Sequence, residues 1–161
     1  MDTRKALFLD RDGVINVERG EYTFRKEDFL FPEGLFEFLR IARSKGYLLI
    51  MISNQGGISR GIYSLQEVEA LHSWMQERLD QEGVALDDIY FCPHHDAVEQ
   101  CLCRKPQPLM LLKAMARYRI DPSLSLFVGD SARDAEAGRR AGVRSLKVTP
   151  NENLMRYISL L

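Results

Sequence analysis

The sequence has no long apolar run. Nothing in it approaches the roughly 20 consecutive residues that a membrane-spanning helix needs, so no membrane partner is expected. It also lacks an excess of either charge: over 161 residues, 22 Lys+Arg stand against 23 Asp+Glu, a formal net charge of −1. Nucleic-acid surfaces neutralise phosphates with clustered Lys and Arg, so that class of partner is not expected either. The start, Met1-Asp2-Thr3-Arg4-Lys5, leads into a short apolar stretch without a signal-peptide layout, which points to a cytoplasmic protein. Two phosphate-binding loops are absent. Gly56-Gly57-Ile58-Ser59-Arg60-Gly61 lacks the Lys and hydroxyl pair of a P-loop, and no G-x-G-x-x-G turn follows the first apolar run. No repeat, low-complexity tract or Pro/Gly/Ser-rich linker divides the chain. At roughly 100–200 residues per domain, residues 1–161 read as a single domain. Cysteine is scarce: the three, Cys92, Cys101 and Cys103, are an odd number with no secretion signal, which argues against a disulfide scaffold.

What the sequence does contain is ordinary globular material, 45% hydrophobic and 28% charged, in which short apolar runs alternate with amphipathic stretches. Lys5-Ala6-Leu7-Phe8-Leu9, Leu48-Leu49-Ile50-Met51-Ile52, Asp88-Ile89-Tyr90-Phe91, Ser125-Leu126-Phe127-Val128 and Ser145-Leu146-Lys147-Val148 have the length and flanking turn residues of strands. Between them, Leu35, Phe38, Leu39 and Ala42 keep helical spacing up to a stop at Gly46. Ser64-Leu65-Gln66-Glu67 is a capping box ahead of Val68, Leu71, Met75 and Leu79. Pro108 can open a helix with Leu109 and Leu112, and a further helix is expected from Arg133 to Ala141. His72, inside the second helix, reads as a partly exposed structural histidine. Strand–helix alternation implies right-handed crossovers and an α/β fold, a three-layer, doubly wound, mainly parallel sheet. Ligands bind such sheets outside the carboxyl ends of the strands, where this sequence places Asp10, Ser53, Cys92 and Asp130.

Asp10-Arg11-Asp12-Gly13 sets two carboxylates where the first strand opens into a glycine turn. Asp-x-Asp-Gly alone is weak, because Asp is common in turns. Asp130 adds a carboxylate from another strand end, with Asp134 four residues on. Clustered oxygens of this kind suit Mg²⁺. Lys105 and Ser53 add a cation and a hydroxyl.

With these residues in place the sequence resembles the haloacid dehalogenase superfamily of phosphatases, most closely its D-glycero-heptose 1,7-bisphosphate phosphatase branch. Asp10-Arg11-Asp12-Gly13-Val14-Ile15-Asn16, Ser53-Asn54-Gln55, Cys103-Arg104-Lys105-Pro106 and Gly129-Asp130 with Asp134 occur in the family's order, from Leu7 to about Val148. The resemblance implies that Asp10 attacks phosphorus to form an aspartyl-phosphate. Asp12 then serves as general acid and base, a role that calls for a raised pKa. It further implies Mg²⁺ held by Asp10, the Asp12 backbone carbonyl and Asp130. Ser53 and Lys105 would stabilise the phosphoryl group. Asp134 would stand behind the ligands, orienting Lys105 or a metal-bound water, though it reads nearly as well as a helix first-turn carboxylate.

Cys92-Pro93-His94-His95 and Cys101-Leu102-Cys103 offer three thiolates and at least one imidazole, a complete tetrahedral zinc set of the closed structural kind. Taken alone, these residues also allow unrelated buried thiols or a redox pair. The resemblance implies Zn²⁺ on Cys92, His94, Cys101 and Cys103. The spacing between motifs leaves no room for a separate cap domain, so an open site and a monomer are expected. The resemblance implies that Glu18, Arg19, Gly20, Glu21, Asn54, Gln55, Arg104 and Ser131 face the substrate. Arg104 suits a second phosphate, which a guanidinium fork binds bidentately. Gly56-Gly57 and Ser131 depart from the more frequent Ser-Gly and Lys of the family. The expected substrate is a small phosphorylated sugar, most closely a heptose 1,7-bisphosphate losing its 7-phosphate. The rival is histidinol phosphate or another small phosphomonoester, because the stretch from His94 to Cys101 is short. A phospho-accepting receiver domain is the reading from a different class.

Overall fold

A computed structural model describes residues 2–161. Five parallel strands form one sheet in the order β3-β2-β1-β4-β5. They are β1 (Lys5–Leu9), β2 (Tyr47–Asn54), β3 (Asp88–Cys92), β4 (Leu126–Gly129) and β5 (Arg144–Lys147). Four helices connect or follow them: α1 (Leu35–Ser44), α2 (Leu65–Gln81), α3 (Leu109–Tyr118) and α4 (Ala132–Arg140). Each strand lies within a residue or two of its expected place, and α4 is shifted by one residue at each end.

The alternation of side chains along a strand sorts the core into two layers. Leu7 and Leu9 of β1, with Leu49 and Met51 of β2, pack under Leu35, Phe38 and Leu39 of α1 and Leu71, Met75 and Leu79 of α2. Ala6, Phe8, Leu48, Ile50 and Ile52 face the other way, onto Met110, Leu111 and Ala114 of α3 and Ala137 of α4. Phe38 and Phe127 are fully buried, one in each layer. Truncating such a ring to alanine costs about 3–5 kcal/mol, so each layer alone holds a large part of a stability that is typically about 5–15 kcal/mol.

β1 lies between β2 and β4, and the chain leaves it toward β2 and returns later to β4. This reversal opens a crevice at the carboxyl ends of β1 and β4, the place where doubly wound sheets bind ligands. The loop from Asp10 to Gly34 holds only one short 3₁₀ turn, Lys26–Asp28, and the segment from Cys92 to α3 holds no regular element. No cap stands over the crevice among the described residues. A last 3₁₀ segment, Leu154–Leu160, packs onto α1 through Leu154. It has no counterpart in the expected elements. Among the described residues, no helix is long and apolar enough to cross a membrane.

Candidate active site

Asp10 follows β1 directly, and its N–H still bonds Val128 O of β4 at 3.0 Å. The carboxylate is thus fixed to the strand edge, with Oδ1 accepting from Arg11 N at 2.8 Å. Lys105 arrives from the segment after the cysteine loop. Its buried ammonium meets Asp10 Oδ1 at 3.0 Å, Asp134 Oδ1 at 2.6 Å and Ile52 O at 2.8 Å. Burial works against that charge, but Asp10 and Asp134 outweigh it and push the Lys105 pKa up. Asn54 brackets the same residue, accepting from Lys105 N and donating to Lys105 O.

Asp130 lies at the end of β4, and a Cβ on Gly13 would run into its carboxylate. Gly13 also sits at φ 88, a left-handed conformation natural to glycine. The turn after Asp12 therefore exists because this position has no side chain. Asp134 caps α4 in a reciprocal box with Ser131: Oδ2 accepts from Ser131 N and Oγ, and Asp134 N donates back to Ser131 Oγ. With one oxygen on Lys105 and the other on Ser131, the Asp134 carboxylate is fully engaged.

One carboxylate oxygen each from Asp10, Asp130 and Asp134 fall within 4.8 Å of one another. Burial raises the Asp10 pKa, Lys105 opposes, and the neighbouring carboxylates add to the rise. Burial and Asp134 do the same to Asp130. A hard divalent cation relieves this kind of crowding, and Asp10 and Asp130 have the oxygens to hold one.

Asp12 differs from the acid expected from the sequence. Burial alone would raise its pKa, but the Arg11 guanidinium and hydrogen bonds from Arg11, Asn16 and Gln55 hold it below the usual carboxylate range. Arg11 Nη2 and Asn16 Nδ2 reach Oδ1 at 2.8 and 3.0 Å, and Gln55 Nε2 reaches Oδ2 at 3.1 Å. The resting carboxylate is ionised.

The crevice is a cleft of about 420 Å³. Glu18, Gly20, Glu21 and Tyr22 form one wall; Asn54, Arg104 and Lys105 stand with Asp130, Ser131 and Asp134 elsewhere around it. His95 and Arg133 also line it, and neither was expected there. Gly56 makes room for two of these groups, since a Cβ on it would lie 2.9 Å from His95 and 3.0 Å from Arg104. Arg104 donates to His94 O at 3.1 Å, while its buried Nε has no hydrogen-bond partner.

Three expected substrate-facing or phosphoryl-facing residues sit otherwise. Gln55 is buried, its amide spent on Asp12, Ser53 and the Tyr63 hydroxyl, so it braces the site from beneath and does not face the cleft. Arg19 turns back to the Tyr22 carbonyl, the Thr23 hydroxyl, Glu21 and Asp28. Ser53 is fully buried, its hydroxyl accepting from Gln55 at 2.7 Å. His72 also differs from expectation: it is buried against Phe91 and Arg11. The sequence reading did not single out the Arg11–Asn16–His72 network around Asp12. Its available signal was an arginine between two aspartates directly after a buried strand.

The second cluster lies at the end of β3. Cys92 Sγ is 3.0 Å from Cys103 Sγ, 3.7 Å from Cys101 Sγ and 3.4 Å from His94 Nδ1, which is 3.3 Å from Cys103 Sγ. The three thiols are free. Zinc–sulfur bonds of about 2.3 Å in a tetrahedron set sulfurs a little under 4 Å apart; the Cys92–Cys101 pair matches this, the Cys92–Cys103 pair is closer, and all four atoms lie within 4.8 Å of one another, so the group could hold such an ion. His95 is turned away, its Nδ1 accepting from Ala97 N at 3.0 Å.

A buried Asp-x-Asp turn, a lysine bridging two carboxylates and a doubly wound sheet define the class. The chain belongs to the haloacid dehalogenase-like hydrolase family, whose model matches residues 3–142, and within it the chain is a phosphatase. It is 48% identical to D-glycero-beta-D-manno-heptose-1,7-bisphosphate 7-phosphatase of Helicobacter pylori over 146 residues, 90% of this chain and 83% of that one. It is 41% identical to D-glycero-alpha-D-manno-heptose-1,7-bisphosphate 7-phosphatase of Campylobacter jejuni, over 92% of this chain and 84% of the relative. Among solved structures, D,D-heptose 1,7-bisphosphate phosphatase of B. bronchiseptica, complexed with magnesium and phosphate, superposes with a TM-score of 0.85 at 29% identity. That match covers 98% of this chain and 87% of the other.

Proposed function

We propose that this phosphatase removes the 7-phosphate of a D-glycero-D-manno-heptose 1,7-bisphosphate. The observation that carries the reading is the polarity of the cleft. One pole holds Asp10 and Asp130 beside Lys105, and Arg104, Arg133 and His95 bring cationic or donor groups to the same cleft. Such a cleft suits a sugar phosphorylated at both ends, with Glu18 and Glu21 able to accept from its hydroxyls. The names of the relatives support the same substrate.

Asp10 attacks phosphorus in line, the bond to the sugar oxygen breaks, and an aspartyl-phosphate remains on Asp10. Asp12, ionised at rest, takes up a proton from solvent as the substrate binds and gives it to the departing oxygen. Its proton affinity rises when a phosphoryl dianion arrives beside it, since a like charge favours the neutral acid. Asp12, ionised again by that donation, then takes a proton from the water that cleaves the aspartyl-phosphate. Lys105 balances the phosphoryl charge while remaining tied to Asp10 and Asp134. Asp10, Asp130 and the Asp12 backbone carbonyl would hold Mg²⁺, which when bound offsets repulsion between nucleophile and phosphate. Cys92, His94, Cys101 and Cys103 would hold Zn²⁺, and four protein ligands leave it no open position for chemistry. Its place between β3 and Lys105 suits a brace.

The test is phosphate release from both anomers of heptose 1,7-bisphosphate, from histidinol phosphate and from simple sugar phosphates, with Mg²⁺ and with chelator. Mg²⁺-dependent release that prefers a heptose bisphosphate and vanishes in Asp10→Asn is expected. Preference for histidinol phosphate overturns the substrate, and full activity of Asp10→Asn overturns the mechanism.

A further inference from the structure

Arg11 is a buried cation that the proposed chemistry does not use. It is 0% exposed and is among the largest fully buried side chains. Its donors are spread over three parts of the fold. Nη2 donates to Asp12 Oδ1 at 2.8 Å and to the Thr23 carbonyl at 2.6 Å. Nε donates to Asn16 Oδ1 at 3.1 Å, and the same Asn16 side chain donates to Asp12 Oδ1. Nη1 lies 3.2 Å from Nε2 of His72, on α2. As a donor without acceptor capacity, Arg11 fixes His72 Nε2 as the acceptor and leaves the ring proton on Nδ1. That buried nitrogen has no partner. An unmet donor is costly, so the ring is held there by what its other nitrogen does for Arg11.

Thr23 is 2% exposed and closes the loop whose Glu18, Gly20, Glu21 and Tyr22 form a wall of the cleft. One guanidinium therefore joins the Asp12 carboxylate, the wall that meets the sugar and the helix behind both. We infer that Arg11 is a positioning residue, backed by His72, which sets the Asp12 carboxylate relative to the substrate-facing loop so that its proton reaches the leaving oxygen. The planar fork is essential to this arrangement. A lysine at the same place offers a single nitrogen and cannot span Asp12, Asn16, Thr23 and His72 at once.

The inference rests on the reading of Asp12 as the acid, and the test separates the two. Leaving-group release is measured in single turnovers on two probes, heptose 1,7-bisphosphate and p-nitrophenyl phosphate. The sugar alkoxide needs a proton to depart and the nitrophenolate does not. The quotient of the two rates on one preparation cancels any loss of folded protein. Asp12→Asn sets the scale. Arg11→Lys is expected to slow sugar release on the order of 10²-fold, at the lower end of what a positioned acid supplies, with nitrophenol release nearly unchanged. His72→Leu, which keeps the charge and frees only Nη1, is expected to move the quotient several-fold in the same direction, and it decides the matter if Arg11→Lys does not fold. Equal losses on both probes in these variants, with Asp12→Asn still selective, overturn the positioning role alone. A non-selective Asp12→Asn overturns the acid role and this inference with it.

Discussion

Two groups of side chains able to hold a metal ion sit at the carboxyl edge of the sheet, built in opposite ways. The carboxylate group draws Asp10, Asp130 and Asp134 from opposite halves of the chain and sets them against the buried Lys105. The thiol group lies within twelve residues, Cys92 to Cys103, and is mostly half-exposed. The first faces a cleft and keeps acceptor oxygens free; the second faces only itself. One fold thus offers a cation two kinds of place. Where the candidate ligands come from distant strand ends, the sheet supplies the precision and leaves the cleft open. Where they come from one loop, they close on themselves, and a cation there would supply order to a segment that has no helix or strand of its own.

That contrast can be broken experimentally. Asp10→Asn is expected to cut phosphate release by at least about 10⁴-fold, as loss of a nucleophile does elsewhere, while elemental analysis finds the zinc content unchanged. Cys103→Ser is expected to do the converse. Zinc is lost and the melting temperature falls on the order of 10 °C, for roughly 3–4 kcal/mol at about 2–4 °C per kcal/mol in a chain of this size. Turnover by the protein that remains folded drops only several-fold. If Cys103→Ser abolished turnover in folded protein, the thiol group would not be a mere brace.

A third prediction concerns His72 of α2, which meets Arg11. Burial, assisted by Arg11, lowers the His72 pKa from 6.5 to about 3. The unfolded chain therefore takes up a proton first, so this contribution to stability is whole above pH 6.5 and is lost as the pH falls toward 3. Between pH 7 and pH 5 the wild type is expected to lose about 2 kcal/mol more than His72→Gln in urea unfolding. Parallel losses would show that His72 is charged in the fold. The smallest effect is expected from Asn151→Ala, which removes a side chain bonded twice to the Glu18 backbone. It should raise KM a few-fold with kcat unchanged and cost about 1 kcal/mol of stability. An unchanged KM would detach that contact from substrate binding.

The sheet was legible because β1, β2 and β4 are continuous apolar runs that end in chemistry-bearing residues, and a fully buried parallel strand must read that way. The cluster of Cys92, His94, Cys101 and Cys103 at and beyond the end of β3 was legible too, since Cys and His fall within one short window. What composition and spacing could not show was direction. Gln55 and Ser53 sit next to Asn54 in sequence, yet the end of β2 turns both inward, where Gln55 bonds Asp12 and Ser53. Arg11 was quoted as part of a motif, but its extended reach to Thr23 and His72 depends on where α2 and the loop lie. The direction of the Asp12 shift has the same origin, because the turn folds Arg11 and Asn16 onto its carboxylate and Gln55 reaches it from beyond β2. Leu154–Leu160 escaped although Leu154, Tyr157, Ile158 and Leu161 keep helical spacing, because the segment lies past the last strand of the strand–helix alternation.

Asn151, at φ 69, donates its own N–H to Gly13 O and clasps Glu18 through both ends of its amide. That wall of the cleft is thereby anchored at Glu18 by a segment from beyond β5 and at Thr23 by Arg11. A capless site has no lid to order around its ligand, and this wall is already ordered before a ligand arrives. Association then gives up little loop entropy, and selectivity among sugars must come from the fixed width of the cleft. The same rigidity makes Asn151, remote from phosphorus, a place to retune which sugars enter without touching the chemistry.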